Sequence, residues 1–240
     1  MSWAPRRRFW TQAGVRPLDA GYGVDLDDRL LQTPARRALV LPTRALARAI
    51  AAEWNAIEAE IRPEALPLTR AANSAADRVA PDPTPVVDAI AAYGDSDLLC
   101  YRAEEPLALV QRQAAAWNPW LEWSGRVLGA PLLAVVGVMH HPQPAESLAR
   151  LRAHVAGCDA FGLTALHDLV SLSGSLVLGL AVSRGALDPG DAWELSRIDE
   201  TWQAEQWGED AEAQAQAERR HADFLRAEHF LQLLTQRADN

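Results

Sequence analysis

Trp193, Glu200 and Trp207 recur every seven residues in the C-terminal third of the chain. At about 100° per residue on an α-helix, this spacing stacks them on one side, with Ser196 and Gln203 between them. A stripe of indole, carboxylate and indole suits binding: the aromatic rings supply contact area and the charge supplies selectivity. Leu195, Ile198 and Trp202 fall on the opposite side as an ordinary core stripe. Two readings stay open. Either the outer stripe meets a partner, or both faces are buried in a helical bundle and Glu200 pairs with an arginine. In the first reading the contacts are Glu200, Gln203, Trp193 and Trp207, with Asp199 alongside.

The other reactive residue types do not assemble into a centre. Gly21-Tyr22-Gly23 stands beside a strand with no helix to open, so it reads as turn geometry rather than a phosphate loop. Ser175 lacks the strand–turn–helix setting of a nucleophile elbow and reads as a helix N-cap. His154 and Cys158 are one helical turn apart, but two ligands do not make a metal site. His140-His141 reads as loop, and His167, His221 and His229 as ordinary helix positions. Asp95-Ser96-Asp97 ahead of an apolar run reads as a turn or cap. No catalytic residue, metal ligand or cofactor is expected.

Charge narrows the partner class. The net charge is −9, and between Asp188 and Glu218 ten acids face a single base, Arg197. Nucleic-acid binders need a basic footprint to displace counterions, so nucleic acid is excluded as a partner. All 23 basic residues are arginine, which reads as genome composition. Two cysteines match no disulfide framework or metal spacing and fit a reducing cytoplasm. Arg6-Arg7-Arg8 is followed by no apolar stretch of a secretory signal, and the longest apolar run, Val127 to Met139, is too short to span a bilayer.

The elements that must carry these residues fall into two parts. Val24-Asp25-Leu26 alternates as a strand, Asp27-Asp28 offers a turn, and Ala38 to Leu41 reads as a second strand. Thr43 is a candidate N-cap for a helix bearing Leu46, Ile50, Trp54, Ile57 and Ile61, ended by Pro63. Pro81, Pro83 and Pro85 exclude helix and central strand and mark a linker. Beyond it the spacing is helical almost throughout: Leu107 to Trp117, broken or kinked at Asn118-Pro119, then Leu148 to Cys158, Asp159 to Leu172, and Ser175 to Arg184 stopped by Gly185. Leu98 to Arg102 could be a strand returning to the first part. Asp188-Pro189-Gly190-Asp191 starts another helix, and Phe224, Ala227, Leu231 and Leu234 share a face of the last. The expected fold class is α+β: a small N-terminal α/β domain with short strands (1–80), then a larger all-helical C-terminal domain (81–240).

Several blocks then form an ordered set along nearly the whole chain: Arg8-Phe9-Trp10; Leu26-Asp27-Asp28-Arg29 with Thr33-Pro34-Ala35; Ile50-Ala51-Ala52-Glu53-Trp54; Ile61-Arg62-Pro63 with Leu66-Pro67-Leu68-Thr69, Ala72 and Asp77; Asp97 to Ala103; Gln113 and Trp117-Asn118-Pro119-Trp120; Gly174-Ser175-Leu176; Asp199 to Gln203 with Trp207-Gly208. This set resembles the family of chaperones that assemble the catalytic sector of F-type ATP synthase by binding its alpha subunit. Ala65, where methionine is common, and Asp199, where glutamate is also found, are small departures. The resemblance implies a two-domain fold, no catalysis, and a role in keeping unassembled alpha subunit soluble until beta pairs with it. It also implies a bacterial cytoplasmic monomer whose eukaryotic relatives work in the mitochondrial matrix. The rivals are a hydrolase-like small-molecule enzyme on a helical scaffold and a membrane-surface adaptor using Arg6-Arg7-Arg8. The first lacks a paired acid and base, and three arginines bring the second only a few kcal/mol, at about 1 kcal/mol each.

Overall fold

The computed structural model of the chain describes residues 7–235; Arg6 of the arginine cluster lies outside them. The architecture is α+β, with short strands near the N-terminus followed by helices. The chain forms two compact units. One takes the chain up to Pro83, Asp159–Ala165 and the residues from His229 onward; the other takes Thr84–Cys158 and Leu166–Glu228.

In the first unit, β1 (Ala13–Leu18), β2 (Gly21–Leu26) and β3 (Arg29–Leu30) form an antiparallel meander in that order. Ala13 lies opposite Leu26, and Leu26 opposite Arg29. Val24 and Leu26 point into the core, as their alternation predicts. Asp27 makes the turn at φ 54°. Its carboxylate accepts the N–H groups of Gln12 (2.9 Å) and Thr11 (3.0 Å), which holds it below the usual carboxylate range. Gly21 is required where it stands: a Cβ there would come within 2.4 Å of the Leu41 carbonyl oxygen.

Ala38 to Leu41 does not form the expected strand. Leu39 bonds Leu31 while Leu41 exchanges two bonds with Tyr22, so the segment changes partner midway and only isolated bridges result. Its leucines are buried all the same.

Helix α1 (Arg44–Asn55) begins at Thr43, whose hydroxyl accepts the Leu46 N–H at 3.2 Å. Its buried face is Leu46, Ala47, Ile50, Ala51 and Trp54, but the helix ends at Asn55, so Ile57 and Ile61 lie beyond it and Pro63 does not stop it as expected. Trp54 packs edge-on to Trp10 at 5.0 Å, and its indole N–H donates to Thr69 at the start of α2 (Pro67–Ser74). Phe161, stacked on Phe230, and Leu233 complete this core from distant sequence.

The second unit holds α3 (Thr84–Ala92), β4 (Tyr101–Arg102), α4 (Leu107–Trp123), β5 (Val135–Val136), α5 (Ala145–Ala156) and α7 (Leu176–Ser183). It also holds α8 (Pro189–Ser196) and α9 (Ile198–Trp207), while α6 (Ala160–Ser173) and α10 (Ala211–Thr235) divide between the units. Two differences from expectation matter. Tyr101–Arg102 pairs in parallel with Val135–Val136 inside this unit instead of returning to the first. The strand run there is only two residues long, because Leu98–Cys100 is a turn of 3-10 helix. Helix α4 also continues through Asn118-Pro119 without the break that was one of the two expected outcomes. A proline removes one hydrogen bond from a helix; buried Trp117 and Trp123 on either side hold the two halves in place. Gly185, at φ 65°, ends α7 as its position predicts.

Among the described residues, no helix is long and apolar enough to cross a membrane.

Candidate functional site

Asp97 organises the interior beneath the site. It is fully buried and accepts the N–H groups of Leu99 and Val177, each at 3.0 Å, so one carboxylate caps both the Leu98–Cys100 turn and the start of α7. Burial pushes its pKa up to about 6, against the opposing pull of Val177, Ser175, Leu99 and Leu176. Ser175 is the N-cap of α7, its hydroxyl accepting the Leu178 N–H at 3.0 Å. Both residues thus serve as caps, as their positions predict. Nearby, Leu98 donates to the Gly174 carbonyl at 3.1 Å. Two sequence blocks more than seventy residues apart therefore meet through hydrogen bonds.

The chain then leads into β4. Arg102 is buried, donates from Nε to the Leu99 carbonyl at 3.0 Å, and sets its guanidinium 5.2 Å from the Trp117 ring centroid. Its Nη2 has no hydrogen-bond partner, and burial lowers its pKa. Gln113 on α4 bridges outward. Its carbonyl oxygen accepts the Ala103 N–H at 2.8 Å and its amide donates to Asp199 at 2.6 Å. Trp117 donates to the Leu195 carbonyl at 2.9 Å. Arg112 pairs with Glu205 at 2.9 Å and lies 5.0 Å from the Trp202 ring centroid. These contacts move down α4 as they move up the chain through α8 and α9. Helix α9 is thus clamped antiparallel along α4, with Trp207 carried toward the end where α4 begins. The hydrogen bond with Arg112 holds Glu205 below its usual range.

The five residues singled out from spacing separate. The continuous stripe does not form, because the helix ends and restarts at Arg197 (φ −115°, ψ 12°). Arg197 closes α8 with a tight bond to the Glu194 carbonyl, and its own carbonyl accepts the first bond of α9 from Thr201. The seven-residue register therefore breaks between Trp193 and Glu200. Trp193, only 7% exposed, is core: it stacks on His221 at 5.2 Å and packs by Phe224. Asp199 is half-buried and held by Gln113. Glu200 and Gln203 are exposed, Glu200 pairing with Arg197 at 2.7 Å, and Trp207 is 79% exposed at the last position of α9. Burial thus holds for Trp193 and the expected arginine pairing for Glu200, while Gln203 and Trp207 are left exposed.

Arg112, Glu205 and Arg102 are participants that spacing alone missed. The first two are a pair 93 residues apart, and nothing local marks an arginine as the clamp of a distant helix. Among the described residues, no three His, Cys, Asp or Glu side chains group as a metal ion would need. His154 instead meets the Leu128 carbonyl and Arg184.

In the first unit, too, the matched blocks do internal work. Asp77 accepts the Ala35 N–H and pairs with Arg37 at 2.7 Å, while Arg8 donates to the carbonyls of Trp10, Thr11 and Ile57. Glu200, Gln203 and Trp207 are different: they face outward from a helix fixed from behind.

Helix α9 is thus clamped to α4 and presents an exposed carboxylate, amide and indole. Residues 7–125 match the family of the ATP12 chaperone protein. Over 214 residues the chain is 26% identical to the mitochondrial protein atp12 of Schizosaccharomyces pombe, covering 84% of this chain and 74% of that protein. The crystal structure of Atp12 from Paracoccus denitrificans superposes with a TM-score of 0.92 at 52% identity, covering 95% of this chain and 98% of that one. A putative chaperone from Agrobacterium tumefaciens superposes at 0.91 with 41% identity, covering 95% and 86%. The chain belongs to the ATP12 chaperone family, the ATP synthase assembly chaperones that its sequence blocks resemble.

Proposed function

We propose that this chaperone binds the unassembled alpha subunit of F-type ATP synthase through the outer face of α9 and keeps it soluble until beta takes its place. The observation that carries the reading is the exposure of Trp207 on the same short helix as exposed Glu200 and Gln203. A bare indole and a carboxylate on a helix held to α4 by Gln113 and Arg112 make a preorganised contact. Glu200 selects an arginine or lysine of the client and Trp207 covers apolar surface. Asp199 acts one step back, fixing α9 through Gln113. Trp193 supports α8 from inside and does not touch the client. An alpha subunit awaiting beta exposes an apolar face that drives aggregation, and a partner bound there shifts the population toward the soluble form. We place this activity in a bacterial cytoplasm, with the chaperone acting as a monomer.

The test is co-expression with ATP synthase alpha subunit, comparing wild type with Glu200→Lys and Trp207→Ala. Both positions are exposed, and the Glu200–Arg197 pair is a surface ion pair worth about 0–1 kcal/mol, so both variants should melt near the wild type. Trp207→Ala should weaken client binding by roughly 2 kcal/mol, and Glu200→Lys should leave most alpha subunit insoluble. Variants that fold and still keep alpha subunit soluble to the wild-type extent would overturn the site.

A further inference from the structure

The longest apolar run of the chain, Val127 to Met139, is not simply core. Leu128, Ala130 and Leu132 are buried, but Val136 is 67% exposed, Met139 82% and Val138 91%. This apolar display is held in place. Val135 and Val136 pair with Tyr101 and Arg102, and Gly137 donates to the Arg102 carbonyl at 2.8 Å. Before the strand, Gln143 accepts from and donates to the backbone of Leu133; after it, His140 meets Tyr101 and Asp95. Gly137 turns the chain at φ 89°, a conformation a side chain would strain, and a Cβ there would lie 3.1 Å from a Glu104 carboxylate oxygen. The turn delivers Val138 and Met139 outward. Leu107, three residues past Glu104, is 69% exposed.

The same frame supports the α9 face. β4 holds Gly137 on one side, and Ala103, its next residue, is held by Gln113, whose amide binds Asp199. Both exposed sets therefore hang from one hydrogen-bonded path within the second unit. Their surroundings are acidic: Glu104 and Glu105 stand exposed beside the apolar segment, and Glu209 and Asp210 follow Trp207. Arg112 and Arg197 on these helices are already paired, and the exposed Arg126 stands at the far end of the apolar run, ahead of Val127.

We propose that Val136, Val138, Met139 and Leu107 form a second contact for the client that α9 binds: an apolar surface edged by arginine or lysine. This rests on the function proposed above. Charge decides the occupant. A second copy of this chain would bring its own acids against these, and an anionic lipid surface would be repelled likewise. The side chains and their acidic rim suit a client face that is apolar and edged by basic residues, and the client proposed above is the unassembled alpha subunit.

The experiment uses the full chain and purified alpha subunit, with Val138→Asp/Met139→Asp and the milder Val138→Ser/Met139→Ser. Both sites are exposed, so melting should match the wild type, and affinity for alpha subunit should fall about tenfold or more. The Ser pair should weaken binding less, and Met139→Leu should bind as the wild type does. Wild-type affinity in the folded double variants, with loss in Glu200→Lys, would overturn this contact and leave the α9 site standing. No binding by the wild-type chain would overturn both. Sedimentation of the chaperone alone gives a last check: a wild-type dimer made monomeric by the Asp pair would reassign the patch to self-association and overturn the proposal.

Discussion

Asp97 shows how one side chain can serve structure against its own electrostatics. Its carboxylate is fully buried, and loss of water raises its pKa from 3.8 to about 6 despite the N–H donors of Leu99 and Val177. An acid whose pKa is raised on folding binds its proton more readily in the native state. Its contribution is therefore fully present below the unfolded value and is lost as pH rises through about 6. The rise corresponds to about 3 kcal/mol at most, at about 1.4 kcal/mol per pH unit. Asp97→Asn removes this titration. The stability difference between wild type and variant, from urea midpoints, should move against the wild type between about pH 4 and pH 7. Parallel curves would show that Asp97 does not titrate in this window. The position reads from sequence as a cap or turn. That Asp97 also caps a helix 80 residues away could not be read there, because only folding brings Val177 to it.

Among the helices, the legible ends are those whose caps are sequence neighbours. Thr43 before α1, Ser175 before α7 and Asp188-Pro189 before α8 combine a side-chain acceptor with the N–H groups two or three residues on. Helix α2 is the contrary case. Leu66 at its N-cap offers no side chain, and the acceptor comes from α1: Glu53 takes the N–H groups of Leu68 at 2.6 Å and Thr69 at 2.9 Å. Burial raises the pKa of Glu53, with these bonds opposing. Glu53→Ala should cost about 1–2 kcal/mol in denaturant midpoint, and Glu53→Gln, which keeps an acceptor, should cost less. Equal stability of both variants and the wild type would show that Pro67 alone suffices to start α2. The break at Arg197 is likewise an element-level event. It separated the expected stripe: the helix restarts there, with Trp193 inside and Glu200 and Trp207 outside.

At the scale of the molecule, the chain end belongs to the first unit. Phe230 and Leu233 are buried in the core that holds Trp10, Leu46 and Trp54, and the Thr43 hydroxyl donates to the Leu233 carbonyl at 2.6 Å. Deleting residues 229–240 should therefore destabilise the first unit by about 3 kcal/mol or more, from two lost apolar side chains. Amide exchange at β1 and β2 should rise, and unchanged protection there would contradict the shared core. The sequence by itself determined the α+β class, the face of α1 from Leu46 to Trp54, Phe224 and Ala227 on α10, the sequence-local caps, and membership of a family whose blocks run the length of the chain. These depend on periodicity, on neighbours in the chain and on an ordered pattern of residues. Only tertiary structure decided which tryptophan is bare and which is core, that α4 passes through Pro119, and that Arg112 and Gln113 clamp α9. It also decided that part of the longest apolar run faces solvent. Each of these turns on partners tens of residues away, and burial is a property of where those partners fold, not of the residue type that spacing can count.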